Sequence, residues 1–341
     1  MITIKEIADI ADVSRGTVDR VINNRGGVDK KTEEKIRKII DTSGYIPNAA
    51  GRNLALKKKK LKFGFILVSD KHSYTRISNS VQDYAKNLAE YGIEVITKDC
   101  PSTDYHLQIQ VIRELYESGV SGIVLSPVCH EDVSETIREY TEKGICFVTY
   151  YNDLPDSHRL AFIGCDYYRC GRAVGNTIGL ILQGSGMVGI INNDSVFSMN
   201  PSKRLRGLND KLQENYPGIE IAASVFVHDD DISSYSATKQ MLSDHPEISC
   251  FFLNDAGLLG ACRAIEECNR PLKVIFTGWF PAAYEYFEKG ILDVMINEQR
   301  IDQGKLPLEL LYQHIAMGNP SDQEYRYTDI EIVVEETMMF H

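Results

Sequence analysis

Side chains that could recognise DNA lie close together near the N-terminus. Arg15, Gly16 and Arg20 fall on the polar side of a short stretch whose apolar residues recur at helical spacing. An arginine can donate two hydrogen bonds to O6 and N7 of guanine, which discriminates between bases by about 1–3 kcal/mol. Thr17 and Asn23 lie on the same segment, where they could donate to phosphate oxygens. This pattern predicts sequence-specific DNA binding.

The segments around these residues predict a helix-turn-helix. Thr3 and Glu6 have the spacing of a capping box, so a first helix is expected to begin there. Ser14 suits the N-cap of a second helix after a tight turn, and a third helix is expected from about Asp29 to Gly44. In this plan the second helix lies in the major groove. The alternative is a small helical module with a solvated basic face.

Charge is distributed unevenly along the 341 residues. Residues 1–60 carry 14 Lys and Arg against 8 Asp and Glu, which gives a net charge of +6. Residues 61–341 carry 23 against 40, a net charge of −17. A basic segment attracts a polyanion and an acidic segment repels it. The asymmetry therefore indicates that the N-terminal segment is the part that meets nucleic acid.

The rest of the chain alternates apolar, β-rich runs with amphipathic helical stretches. Nine runs are predicted strands: 63–68, 93–97, 122–126, 146–151, 187–192, 221–227, 250–254, 273–278 and 293–297. Helices are expected between them, for example over 78–91, 107–118 and 168–182. Such alternation indicates parallel sheets covered on both faces. Nine strands exceed one comfortable sheet, so we expect an α/β body of two doubly wound parallel-sheet lobes with a ligand in the cleft between them.

The N-terminal segment resembles the DNA-binding and hinge segments of the lactose-repressor (LacI) family. TIKEIADIADVSRGTVDRVIN and GYIPNAAGRNLA follow that family's pattern without a gap over residues 3–55. The resemblance implies that Arg15 and Gly16 read bases, and that residues 48–56 form a hinge helix whose Leu54 enters the minor groove. The predicted DNA-binding residues are Ser14, Arg15, Gly16, Thr17, Arg20, Asn23, Thr32, Asn48, Arg52 and Leu54.

Two residues depart from the family pattern. Asp19 stands where serine is usual, and phosphate repels an anion there unless it orients Arg20 or accepts from cytosine N4. Gly51 stands where alanine is usual, and glycine costs about 1 kcal/mol against alanine inside a helix. We therefore expect this hinge to depend more on DNA for its folding. The lysines at 57–60 fit either a solvated linker or a phosphate contact.

The body resembles the periplasmic sugar-binding-protein fold, which forms the effector domain of LacI-type regulators. IGCDYYRCGRAVG, RLRG and FFLNDAGLLGACRAI are similar to motifs of that fold. The resemblance implies that Arg204 and Asp255 bind a polar effector from the far lobe, while Asn152 and Asp153 bind it from the near lobe. The predicted effector-binding residues are Tyr74, Asn152, Asp153, Arg204, Asp255, Trp279 and Gln299. For those other than Arg204 and Asp255, a packing or capping role is an equal alternative.

Signals for other chemistry are weak. Gly184, Gly186 and Gly189 satisfy G-x-G-x-x-G, but they precede a strand, the reverse of the order that a pyrophosphate site needs. The acidic cluster at 228–231 fits a solvated loop better than a cation site. The histidines include no H-E-x-x-H motif, and none pairs with a cysteine at zinc-ligand spacing. No nucleophile–base motif occurs, and the eight cysteines fit reduced core residues. We therefore predict no catalytic residue, no metal and no cofactor.

Together these patterns predict a DNA-binding transcriptional repressor controlled by a small, sugar-like effector. The expected domains are a helix-turn-helix at 1–47, a hinge helix and basic linker at 48–60, and an effector-binding and dimerisation domain at 61–341. The operator should be a near-palindrome because a homodimer presents two heads. Whether the effector releases or strengthens DNA binding, and whether dimers pair into tetramers, stays open.

Cellular context and two alternatives complete the prediction. We expect a cytoplasmic protein without membrane contact, because no uncharged apolar run approaches about 20 residues and the N-terminus does not resemble a signal peptide. One alternative is a cytosolic sugar-processing enzyme with an accessory DNA-binding head, against which the missing catalytic motif argues. The other is an exported solute-binding transport protein, which would begin with a signal peptide.

Overall fold

The structure is a computed structural model that describes most of the chain. The described residues are 2–22, 26–43, 56–57, 59–69, 74–194, 199–228, 230–298, 302–321 and 323–338. Seven residues singled out above lie outside the described residues: Asn23, Gly44, Asn48, Gly51, Arg52, Leu54 and Gln299.

Three short helices form the N-terminal head. They are α1 (Ile4–Ala11), α2 (Arg15–Ile22) and α3 (Lys30–Ser43). The capping box is present, because the Thr3 hydroxyl accepts from the Glu6 amide at 3.3 Å and the Glu6 carboxylate accepts from the Thr3 amide at 2.7 Å. The Ser14 hydroxyl accepts from the Thr17 amide at 3.1 Å and so caps α2. The predicted arrangement of three helices with a turn after the first is therefore present.

A small apolar core holds the head together. Its buried residues are Ile7, Ala8, Ala11, Val18, Val21 and Ile36. Lys35 Nζ also donates to the carbonyl oxygen of Ala11 at 2.8 Å, which ties α3 to the end of α1. Because the apolar side of α2 is used in this core, its polar side faces solvent.

The first lobe of the body is built on a six-stranded parallel sheet. Its first five strands are β1 (Lys62–Val68), β2 (Glu94–Cys100), β3 (Gly122–Leu125), β4 (Cys146–Tyr150) and β5 (Ala161–Gly164). Its helices are α4 (Tyr74–Glu90), α5 (Tyr105–Glu117) and α6 (Glu131–Glu142), with a short 3-10 turn at Pro155–Ser157. The chain then crosses into the second lobe.

The second lobe repeats the same plan. Its strands are β6 (Ser185–Asn193), β7 (Gly218–Val227), β8 (Ile248–Asn254), β9 (Lys273–Thr277) and β10 (Val294–Asn297). Its helices are α7 (Tyr167–Ile181), α8 (Asn200–Asn215), α9 (Asp231–Asp244), α10 (Leu258–Glu267) and α11 (Ala283–Glu288).

The last part of the chain returns to both lobes. Its elements are α12 (Lys305–Leu311), a π-helical turn (Tyr312–Ala316), β11 (Tyr325–Tyr327), β12 (Glu331–Val333) and α13 (Glu335–Met338). The strand orders are β11-β5-β4-β3-β1-β2 and β12-β10-β9-β8-β6-β7. All neighbouring strands are parallel except β12, which runs antiparallel to β10. The chain therefore crosses between the lobes after β5, after β10 and after β11.

Each sheet separates two apolar cores. On β1, Phe65 packs in one core and Ile66 in the other, and on β8 Phe251 and Phe252 diverge in the same way. Successive side chains of a strand point to opposite faces, so a strand covered on both faces needs a continuous apolar run. This confirms the predicted fold of two doubly wound lobes.

The structure adds detail that the sequence patterns lacked. All nine predicted strands are present, but β5, β11 and β12 were not predicted, because runs of three or four residues give no clear periodicity. The eight cysteines are free thiols, and five of them are buried. Within the described residues, no helix has the length and apolar composition that crossing a bilayer requires.

Candidate DNA-binding surface and interlobe cavity

The polar side of α2 carries most of the described residues predicted to contact DNA. Arg15, Gly16 and Arg20 are exposed. A Cβ atom built on Gly16 would meet nothing closer than the Ser14 Oγ atom at 3.6 Å, so the fold itself does not require glycine there. Thr17 is half-buried, and its hydroxyl lies 2.9 Å from that of Ser14. The side chains that could read bases therefore lie together at the start of one solvent-facing helix.

Thr32 lies apart from this surface, in the first turn of α3. Its amide donates to the Asp29 carboxylate at 3.0 Å, so Asp29 caps α3, which begins close to Asp29 as expected. Hydrogen bonds from this turn hold the pKa of Asp29 below its usual value. The Thr32 side chain is half-buried.

A cavity of about 950 Å³ lies between the two lobes. The first lobe contributes Val68, Thr75, Arg76, Ile77, Asn79, Tyr150 and Tyr151. The second lobe contributes Asp230, Asp231, Asp255, Ala256, Gly257, Leu258, Leu259, Phe276, Gly278, Trp279, Phe280, Pro281 and Glu298. Most of these residues follow the carboxyl ends of strands, where doubly wound sheets bind ligands. The volume suits a small solute of at least one sugar ring.

Asp255 is held rigidly at the end of β8. Its backbone has a φ of 56°, in the left-handed region that aspartate tolerates better than most residues. Its amide donates to the Thr277 hydroxyl at 3.1 Å, and its carbonyl accepts from Asn193 at 2.8 Å. Its carboxylate accepts from the Tyr151 hydroxyl of the other lobe at 3.1 Å through Oδ2. Asp255 therefore both lines the cavity and takes part in a contact between the lobes.

Glu298 follows β10 and forms an ion pair with a buried arginine. Arg204 is 1% exposed, and its Nε and Nη2 atoms lie 3.0 and 2.5 Å from Glu298 Oε1. Its Nη1 atom donates to Asn254, and its guanidinium lies 5.1 Å from the Tyr167 ring centre. Arg204 therefore does not line the cavity but positions Glu298, which does. Burial raises the pKa of Glu298, the charge of Asp255 adds to the rise, and Arg204 opposes it.

Aromatic side chains supply the apolar part of the cavity. Trp279 and Phe280 follow β9 and are both half-buried, and Tyr151 follows β4. Burial and the charges of Asp255 and Glu298 raise the pKa of Tyr151, so its hydroxyl remains a donor. Rings beside a few fixed polar groups are typical of sites for small polar solutes.

Three other predicted effector residues are engaged elsewhere and do not line the cavity. Asp153 binds Arg159 through two oxygens, with Oδ1 2.6 Å from Nε and Oδ2 2.7 Å from Nη2. The Tyr74 hydroxyl donates to Asp99 at 3.1 Å, although Thr75 beside it does line the cavity. The third, Asn152, belongs to a contact between the lobes.

Several hydrogen bonds join the lobes beside the cavity. Asn200, on α8, donates to the side chain of Asn152 at 2.9 Å and to the carbonyl of Tyr151 at 3.3 Å. The Tyr151 hydroxyl donates to Asp255. These contacts connect the loop after β4 of the first lobe to both α8 and the end of β8 of the second lobe.

Three cavity residues, Glu298, Arg76 and Tyr151, were not predicted from the sequence. Gln299 was predicted instead of its neighbour Glu298, although a carboxylate at the end of a strand is the same signal that predicted Asp255. Arg76 was overlooked because it lies within α4 and not at the end of a strand. Tyr151 was counted within its strand, but the strand ends at Tyr150.

Among the described residues, one group of three side chains could hold a metal ion by its geometry. The ligand atoms of Cys165, Cys170 and Glu298 lie within 4.8 Å of one another, and the Cys170 thiol donates to Glu298 Oε1 at 3.0 Å. The hydrogen bond with Cys170 and, after it, burial raise the pKa of Cys165, so its thiol stays protonated. Arg204 already balances the charge of Glu298. These features fit two core thiols better than a cation site.

Comparisons with known proteins agree with this architecture. Residues 63–320 match the model of the periplasmic binding protein domain, and residues 3–48 match that of bacterial regulatory proteins of the lacI family. The glucose-galactose binding protein GanP from Geobacillus stearothermophilus has the same fold, with a TM-score of 0.72 and 20% identity over 81% of this chain and 98% of that one.

Two curated relatives match parts of the chain. Catabolite control protein A from Streptococcus mutans is 25% identical over 213 residues, which cover 62% of this chain and 61% of that protein. The HTH-type transcriptional repressor PurR from Vibrio vulnificus is 31% identical over 143 residues, or 42% of this chain and 41% of that protein. The relatives named here are transcriptional regulators, and the alignments span less than two thirds of their length. With a helix-turn-helix head and a periplasmic-binding-protein body both matched, the chain belongs to the LacI family of DNA-binding transcriptional regulators.

Proposed function

We propose that the chain is a repressor that binds a near-palindromic operator as a homodimer in the cytoplasm. A small, sugar-like effector in the interlobe cavity would control its operator affinity. The observation that carries this proposal is the cavity itself, because residues of both lobes line it in a chain that also presents a DNA-binding head. Control in either direction, release or strengthening, fits this arrangement.

The DNA half of the proposal assigns Arg15 and Gly16 to base edges. Both are exposed at the first two positions of α2, and the Ser14 cap fixes where that helix begins. Arg20 and Thr17 would contact the phosphate backbone nearby. Two such heads related by a two-fold axis would read two half-sites. The hinge residues Asn48, Arg52 and Leu54, with Asn23 and Thr32, complete the proposed contacts.

The effector half assigns Asp255, Glu298 and Trp279 to ligand contact. A ligand that touches both walls favours the lobe arrangement in which both contacts are made. The Tyr151–Asp255 and Asn200–Asn152 hydrogen bonds are the contacts that such a ligand would reinforce or replace. If the two lobe arrangements hold the heads at different spacings, effector and operator affinities are linked.

Selection of bound duplexes from a random pool by the full chain tests the DNA half. We expect enrichment of a near-palindrome, with a mass in solution light scattering that corresponds to two chains on one duplex. Affinity should fall linearly with salt concentration on logarithmic axes, because bound phosphates release counterions. Enrichment of no shared sequence, or of a single half-site bound by one chain, would contradict the proposal.

The enzyme alternative is tested with the same preparation. We expect sugars that raise the melting temperature to be recovered chemically unchanged after prolonged incubation. Turnover of any of them would favour the sugar-processing enzyme instead.

A further inference from the structure

Among the described residues that line the interlobe cavity, acidic side chains outnumber basic ones. Four carboxylates, from Asp230, Asp231, Asp255 and Glu298, stand against the basic side chain of Arg76. Hydrogen bonds from the start of α9 hold the pKa of Asp230 low, so that residue stays ionised. The buried Arg204 behind the wall forms its ion pair with Glu298. A neutral solute would leave the remaining imbalance in place.

Two carboxylate oxygens of this wall have no hydrogen-bond donor among the described residues. The three bonds to Glu298, one from Cys170 and two from Arg204, all reach Oε1, which leaves Oε2 without a donor although the residue is only 6% exposed. Asp255 accepts from Tyr151 through Oδ2, which leaves Oδ1. Neither oxygen is among the fully buried polar atoms that lack a partner, and both residues line the cavity. Both oxygens are therefore acceptors to which a ligand in the cavity can donate.

The position of these two carboxylates in the wall of one cavity indicates the kind of donor. Each offers an oxygen without a donor among the described residues, and the two charges repel each other, since the charge of Asp255 adds to the rise that burial causes in the pKa of Glu298. A sugar hydroxyl would supply one donor and no charge. An ammonium group supplies three donors and one positive charge, which offsets the repulsion. The rings of Tyr151 and Trp279 beside it are also favourable neighbours for a cation.

We propose that the effector is an amino sugar whose protonated amine binds between the carboxylates of Asp255 and Glu298. Its ring lies against Trp279. This inference rests on the proposed function for the location of the effector, and it adds the chemical class of the ligand.

The experiment compares matched sugars on the full-length chain by thermal shift and calorimetry. The probes are glucosamine, galactosamine and mannosamine, each beside its N-acetyl form and its parent hexose, with putrescine as an amine that lacks a ring. We expect at least one amino sugar to bind ten or more times more tightly than both of its uncharged counterparts. Its affinity should fall as the pH rises through the pKa of the sugar amine.

Charge-neutralising variants test the two contacts. Asp255→Asn and Glu298→Gln should each weaken the amino sugar at least tenfold while changing the affinity for the parent hexose much less. Asp244→Asn, on the exposed end of α9, is the matched control and should change neither. If Glu298→Gln does not fold, Asp255→Asn tests the amine contact alone.

Two results would overturn the inference in distinguishable ways. Equal or tighter binding of a parent hexose would reject the amine and leave the sugar-controlled regulator intact. Binding of no sugar, or of putrescine alone, would reject the amino sugar together with the sugar-like effector. Operator binding by the same preparation then shows whether the DNA half of the proposed function stands.

Discussion

Replacing Arg204 with methionine should destabilise the body by leaving a buried carboxylate without its cation. Arg204 is 1% exposed, and two of its nitrogens lie within 3.0 Å of Glu298 Oε1. Removing one partner of such a buried pair costs about 3–5 kcal/mol. Methionine retains much of the volume and flexibility of the arginine stem, so the loss reflects the unpaired charge more than a cavity. We expect urea denaturation of the full chain to show this loss.

The loss should depend on pH in one direction. The pKa of Glu298 is already above its usual value, and removal of Arg204 would raise it further. A carboxyl group with a higher pKa in the folded state favours folding most when protonated. That contribution is full below the unfolded-state pKa and disappears as the pH rises through the folded-state pKa. The deficit of Arg204→Met should therefore be smaller at about pH 5 than at about pH 8.

Two further variants decide whether this reasoning holds. Arg204→Met combined with Glu298→Gln removes both charges and should recover part of the lost stability. Arg172→Met breaks a partly exposed pair with Glu214, with 2.7 Å between Nη2 and Oε2, and should leave the midpoint nearly unchanged. A double variant no more stable than Arg204→Met, or equal losses for the buried and the exposed pair, would refute the reasoning.

Three further predictions concern the two proposed sites. Arg15→Ala should cost about 1–3 kcal/mol of operator binding free energy and relax the preference at one base pair per half-site. The control Arg37→Ala on α3 should have neither effect, and equal losses on operator and random DNA for Arg15→Ala would contradict base reading. Trp279 is the only tryptophan, so its emission should shift saturably when a ligand fills the cavity, and an unchanged emission at calorimetric saturation would place the ligand elsewhere. Tyr151→Phe removes a hydrogen bond between the lobes that is worth about 0.5–1.5 kcal/mol, and it should weaken effector binding by up to about tenfold. Unchanged affinity would contradict this prediction and indicate that the ligand binds with the lobes apart.

The extent to which the fold could be predicted follows from periodicity and length. The strand around Phe65 and the strand around Phe252 are long apolar runs that only a sheet covered on both faces explains. The short strands β5, β11 and β12 carry no such pattern, and their positions depend on the sheets already present. Local capping at Thr3 and Ser14 was predictable because all of its partners lie within three residues.

The site was only partly predictable because it depends on contacts between distant segments. Asp255 and Trp279 follow strands and line the cavity as the rule of strand ends requires. Arg204 was predicted to bind the effector, but it does not line the cavity, and its contact with Glu298, 94 positions along the chain, is not visible in the sequence. Asp153 is engaged by Arg159, a pairing that the residue type alone does not reveal. The sequence therefore predicts which polar residues are candidates for ligand contact. Which of them are available to a ligand depends on the ion pairs that they form in the folded protein.

The most direct test of the account is operator affinity measured with and without ligand. Fluorescence anisotropy with the selected duplex gives the operator Kd of the full chain, and the titration is repeated at saturating concentration of the sugar that binds most tightly. We predict a change in operator Kd of at least fivefold, the lower range of a typical coupling free energy, and its loss in Asp255→Asn at the same sugar concentration. An operator Kd that stays the same when calorimetry shows the cavity to be occupied would contradict the claim that this cavity controls DNA binding.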